Sequence, residues 1–184
     1  MGAVILGSQP TNFSFMDHAS IIRNLSENLV LFKNLLSDIS EEEVRWKPAP
    51  EKWCMLEVLC HLVDEEREDF RARVRHVLLK PGEVMPPIDP QGWVHERKYI
   101  SRDYADMLEI FLEERRASVV WLQSLVSPPW TNVYQHPKLG PLSAELFLAN
   151  WLAHDYLHLR QILGIKYALL GMRSRQDLNY AGGW

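Results

Sequence analysis

A chain of 184 residues, 47% hydrophobic and 24% charged, can bury a core of its own, and one soluble domain over residues 1–184 is expected. Twenty basic against 24 acidic residues leave a net charge of −4, with no uniformly basic stretch, which argues against a nucleic-acid partner. Cys54 and Cys60, the two cysteines, would lie about 9 Å apart along a helix, too far for a disulfide, so thiols in a reducing cytoplasm are expected.

The opening stretch from Met1 to Gly7 lacks a basic flank, and its apolar run is too short for a signal peptide or a membrane span. Leu6 stands where a myristoylation signal has Ser or Thr. From about Asp17 to Leu36, Ile21, Ile22, Leu25, Leu29, Phe32, Leu35 and Leu36 recur at helical spacing and predict helix one. Ser40 with Glu43 makes a capping box for a short turn, and Pro48 and Pro50 then force an extended link.

Helix two is expected from about Trp53 to Leu79, with Leu56, Leu59, Leu62, Val63, Phe70, Val74 and Val77 on its apolar face and Pro81-Gly82 as its stop. Residues 80–100, rich in proline, read as a long crossing loop, because neither flank could bury its stripe alone. Ser101 is expected to cap helix three, which reaches about Leu125. A second turn-rich connection leads to Ser143, the expected cap of helix four, which runs to about Leu170 with Gly171 as C-cap. No strand pattern of useful length, repeat or low-complexity tract is evident. The economical architecture is all-α, an antiparallel four-helix bundle.

Histidines carry the chemistry. His154 and His158 are four apart on helix four, so their imidazoles point to one side and can share an ion. The bland alternative is a pair of partly buried helix histidines satisfied by hydrogen bonds. His61 on helix two can supply a third ligand. Three protein ligands with an open position is a catalytic arrangement, whereas structural zinc sites are closed by four, usually with cysteine. Cys54 shares the His61 face but lies about 10 Å away, and Cys60 points elsewhere as a core thiol. His76 is about 22 Å along the same helix; His18, His95 and His136 read as surface or loop histidines.

Glu57, one turn before His61, is a candidate general base, against the plainer reading of a first-turn carboxylate favoured by the helix dipole. Asp64 and Glu65 could orient the His61 ring, yet residues 65–69 read more simply as a solvated charged face. Asp155 replaces the glutamate of the H-E-x-x-H protease pattern and reads as a hydrogen-bond acceptor, for an imidazole or in helix packing. Trp121 and Trp151 fall in core stripes; Trp53, Trp93 and Trp130 could line a mouth, and Trp184 is expected to pack the tail back on the bundle.

The stretches Trp46-Lys47-Pro48, Lys52-Trp53 leading into Glu57 to Asp64, Asn150 to Ile162, and the ending Leu178 to Trp184 resemble the DinB-like superfamily of four-helix metalloproteins. This group includes bacillithiol transferases and is related to mycothiol-dependent maleylpyruvate isomerases. The resemblance implies an up-down-down-up bundle with residues 80–100 as crossover, a divalent ion on His61, His154 and His158, and a homodimer. Zinc or nickel would be the first candidates, with iron or manganese next. It also implies transfer of a low-molecular-weight thiol to an electrophile, with metal-dependent hydrolysis or a non-catalytic metal-binding stress protein as alternatives. Cys54 departs from the Ser or Thr more common there as helix cap, and thiol is a poorer cap.

Overall fold

Each long apolar stripe becomes a bundle helix, and the helix ends fall where side chains satisfy the free N–H groups. The computed structural model describes residues 16–183; the readings of residues 1–7 and of Trp184 lie outside them. Helix α1 (His18–Leu36) starts at Asp17, whose carboxylate accepts from Ser20 N–H, and buries Ile21, Ile22, Leu25, Phe32 and Leu36. The short α2 (Glu41–Arg45) carries the expected Ser40–Glu43 capping box.

Helix two is continuous but not uniform: α3 (Met55–Asp64) passes through a π-helical stretch, Glu65–Phe70, into α4 (Arg71–Leu79). Its first free N–H, on Cys54, donates to Glu57 Oε2 at 2.9 Å, so a carboxylate caps this end. The crossover is not a bare loop. It folds as α5 (Pro90–Glu96) and a 3-10 turn, Tyr99–Ser101. Ser101 lies within that turn, and Asp103 caps α6 (Tyr104–Ser124) instead. Tyr99 Oη donates to Asp64 Oδ2 at 2.5 Å, and Arg97 pairs with Glu68 and Asp64, clamping the crossover to α3 and the π stretch.

A hairpin escapes the sequence reading: β1 (Val133–His136) pairs antiparallel with β2 (Gly140–Ser143). Each strand has four residues, too short for a visible alternation, and Gly140 at φ +77° gives the turn its left-handed residue. Ser143 then caps α7 (Ala144–Ser174) as expected. This helix runs through Gly171 and ends at Arg175, which takes the left-handed conformation and donates its N–H to the Gly171 carbonyl.

The bundle is up-down-down-up, so it is not antiparallel throughout. His18 meets Glu145 and Asn28 meets Asp155, which makes α1 and α7 parallel. Glu66 meets Arg115 and Arg71 meets Ser118, which makes the α3–α4 helix parallel to α6. Leu25 with Arg115 and Leu36 with Tyr104 set α1 against α6 in opposite directions. Two helices running the same way need a connection as long as the bundle, which explains the 80–103 crossover.

At the centre sits a buried ionic cluster. Arg115, 1% exposed, directs Nε at both oxygens of Glu66, at 3.0 Å each, and its two terminal nitrogens at Asp155, at 2.6 and 2.7 Å. Asn28 also donates to Asp155, and Trp151 Nε1 to Glu66. Burial works to discharge Arg115, but Asp155 and Glu66 outweigh it and hold the guanidinium above its ordinary range. The cluster ties all four bundle helices at one level. Arg115→Ala should therefore cost about 3–5 kcal/mol, because two buried carboxylates lose their counter-ion; urea unfolding followed by circular dichroism measures it, and a loss under about 1 kcal/mol would refute this role.

Candidate metal centre

One layer from that cluster, α3 and α7 face each other and bring three imidazoles together. His154 Nε2 lies 3.3 Å from His61 Nε2 and 3.0 Å from His158 Nε2, and one ligand atom from each ring falls within 4.8 Å of the others. His61 and His158 are buried and His154 half-buried. Trp53 packs 4.9 Å from the His61 ring, and Phe70 4.9 Å from that of His154. The group opens into a pocket of about 480 Å³ whose rim includes Lys52, Pro90, Gln91 and Gln161. The crossover thus delivers α5 to the rim.

All three rings are uncharged near neutral pH. Burial, and then the nearby His158, pull His61 down to about 3; burial also lowers His154, with the other two imidazoles adding to it, and lowers His158. His158 Nδ1 meets Gln161 Oε1 at 2.7 Å. With an amide oxygen as partner, Nδ1 carries the hydrogen and Nε2 is left as a lone pair.

These residues fit a divalent ion. Nitrogens bound at 2.0–2.1 Å to one ion stand about 2.9–3.4 Å apart for bond angles between 90° and 110°, and the two separations of 3.0 and 3.3 Å fall in that range. Uncharged imidazole is the ligating form, and lone pairs directed at one another are mutually repulsive unless a cation or a proton lies between them.

Glu65, which the sequence offers as a partner for the His61 ring but which reads with Glu66 more simply as part of a solvated face, is buried, and so is Glu66, at 4% and 1% exposed. The π-helical stretch turns both inward: Glu66 to the ionic cluster, and Glu65 to the histidines, with Oε1 4.0 Å from His61 Nδ1 and Oε2 3.8 Å from His154 Nε2. Burial, then the neighbouring Asp69, raise Glu65 to about 8. A signal existed. Leu59, Leu62, Glu66 and Phe70 continue one stripe at helical spacing, so the charge at Glu66 interrupts a buried face rather than forming an outer one.

Glu57 is not brought to the cluster. Both its oxygens are engaged, by Lys47 at 2.8 Å and the Cys54 N–H, so it is a buried first-turn carboxylate. Asp64 takes Tyr99 and Arg97 instead of the His61 ring, and Asp155 serves helix packing. Cys60 is a buried thiol pushed up to about 12 by burial, away from the imidazoles. His76 hydrogen-bonds the Glu83 carbonyl, His18 stacks on Trp130, and His136 accepts from the Lys138 and Leu139 N–H groups of the hairpin turn. Trp53 does line the mouth, Trp151 is core, and Trp93 is buried under Arg97.

The model of the DinB superfamily matches residues 24–162, about three quarters of the chain, and the chain belongs to that superfamily. Among solved structures it is similar to YfiT from Bacillus subtilis, described as a probable metal-dependent hydrolase with an unusual four-helix bundle topology. The TM-score is 0.73 at 16% identity, over 93% of this chain and 95% of that one, which is a likeness of fold. None of the curated proteins matches the chain by sequence.

Elemental mass spectrometry of untagged protein reconstituted with zinc or nickel should find about one ion per chain, and almost none after His158→Ala. His76→Ala should leave that content intact; equal loss in both variants would remove the assignment.

Proposed function

We propose that the chain is a metal-dependent hydrolase whose ion, zinc or nickel first, is held by His61, His154 and His158. The observation that carries this is the convergence of three uncharged imidazoles, with no cysteine among them, at the floor of an open pocket. An ion so held supplies a Lewis acid and an acidified water at neutral pH. The description of YfiT, which shares this fold, supports the same class.

The chain's own residues suggest how a substrate is held. His154 is the wall between the polar pocket and an apolar cleft of about 850 Å³ that lies between α4, the hairpin and α7. Phe70, Leu146, Phe147 and Leu157 line that cleft. A substrate with an apolar body seats it there, at a favourable burial of roughly 0.8 kcal/mol per methylene, and presents its ester or amide carbonyl on the histidine side. Trp53 and Phe70 exclude bulk water from either flank of the imidazoles.

Thiol transfer is the second reading. Lys52, Gln91 and Gln161 at the rim favour it, because a low-molecular-weight thiol carries carboxylate and amide groups that such side chains bind. A homodimer acting on small molecules in the cytoplasm completes the proposal. No helix among the described residues is long and apolar enough to cross a membrane.

Zinc- or nickel-loaded protein should cleave aryl esters without any thiol, lose the activity to a chelator and regain it with metal. A model electrophile consumed only when bacillithiol, mycothiol, coenzyme A, cysteine or glutathione is present would replace hydrolysis by transfer. For the cleft, Leu146→Asp should raise KM for an octanoyl ester at least about tenfold while leaving the acetyl ester within about twofold; equal effects would place the acyl chain elsewhere.

A further inference from the structure

We propose that Glu65 is the positioning residue of the metal centre: its Oε1 accepts a hydrogen bond from His61 Nδ1, which fixes that ring with Nε2 bare toward the ion. This rests on the metal-site reading above and assigns a role to a residue outside the three-histidine group.

Two atoms carry the inference. Among the described residues, His61 Nδ1 and Glu65 Oε1 are the buried side-chain polar atoms without a hydrogen-bond partner. They are 4.0 Å apart, on side chains four residues apart in the same helix. Each is left unsatisfied at the cost of its desolvation, so the isolated arrangement is one the protein gains by leaving. At 4.0 Å the pair is too far for a direct bond. It is also too close for one well-placed bridging water, which at ordinary bond lengths and a tetrahedral angle needs about 4.6 Å. A closure of about 1.2 Å satisfies both atoms at once.

The neighbouring geometry supports that direction. His158 already has the equivalent outer bond, Nδ1 to Gln161 Oε1 at 2.7 Å, and its Nε2 is correspondingly free for the ion. Among the buried ring nitrogens, His61 Nδ1 is the one whose outer bond remains to be made. Glu65 is itself held from behind: Asp69 hydrogen-bonds it, and Arg73 pairs with Asp69. Glu65, 4% exposed, is carried on the inner side of the helix by the π-helical stretch. An ion held by the three imidazoles would favour the His61 orientation in which Nε2 faces it and Nδ1 faces Glu65. Carboxylates on the outer nitrogen of ligating imidazoles act this way generally, fixing tautomer and ring orientation.

The test uses the full chain with zinc. Zinc affinity is measured by competition with a chromophoric chelator, and the His61 tautomer by long-range proton–nitrogen NMR, in wild type, Glu65→Ala and Glu65→Gln. The expected result is a protonated Nδ1 on His61 in zinc-loaded wild type, an affinity about 10- to 100-fold weaker in Glu65→Ala with loss of the slowly exchanging Nδ1 proton, and recovery of both in Glu65→Gln, which keeps an acceptor oxygen at the same reach. If Glu65→Ala does not fold, the glutamine variant decides, since it must retain tautomer and most of the affinity. A glutamine variant as weak as alanine would make Glu65 a direct ligand and overturn the proposal. Wild-type affinity in Glu65→Ala would overturn it while leaving the three-histidine site standing; a wild type that takes up no zinc would overturn both.

Discussion

The buried contact of Arg115 with Glu66 and Asp155 is the constraint on which the rest of the structure depends. It joins one residue from each of three bundle helices, and Asn28 and the Leu25 carbonyl bring in the fourth. Apolar stripes alone let helices slide by a turn or rotate, because Leu on Leu has no register. A bidentate guanidinium–carboxylate pair in a site that excludes water does not slide, since any displacement leaves a charge unpaired at a cost of several kcal/mol. The cluster thus sets the level at which α3 and α7 meet, and Asp155 and Glu66 are immediate sequence neighbours of His154 and Glu65.

That adjacency joins packing to chemistry. On α7 the Asp155 side chain turns to the core and the His154 side chain about 100° away to the pocket, so fixing one aims the other. On helix two, Glu65, Glu66 and Phe70 all face inward along the π-helical stretch, where the helix passes from the histidine pocket to the ionic cluster. Burial also determines the charge state: imidazoles in water titrate near neutrality, whereas burial lowers all three of these and favours their uncharged form.

The parallel pairing of α1 with α7 and of α4 with α6 has its own consequence. It requires a crossover that travels the length of the bundle, and the chain uses it. Tyr99 and Arg97 clamp it to Asp64 and Glu68, and Pro90 and Gln91 then form part of the pocket rim. The hairpin between α6 and α7 closes the apolar cleft on the other side of His154. The two long connections are therefore the parts that differentiate a polar from an apolar approach to the same imidazole, while the helices supply the three histidines.

Much of this was legible in the residues themselves. The four stripes, the Ser40 and Ser143 caps, and the i, i+4 spacing of His154 and His158 follow from local rules, because helix period and end-capping depend only on near neighbours in the chain. The direction of the helices, the hairpin, and the shift of the third-helix cap from Ser101 to Asp103 do not, since each is decided by what packs against it. Charge shows the division most sharply. Glu65, Glu66 and Arg115 look like surface residues in a linear reading, and only their counter-charges on other helices make burial possible; Glu57 looks like a free carboxylate until Lys47 and the Cys54 N–H occupy it. Sequence determined which side chains could ligate an ion. Tertiary structure decided which of them share one point in space, because that distance is fixed by contacts between segments about a hundred residues apart.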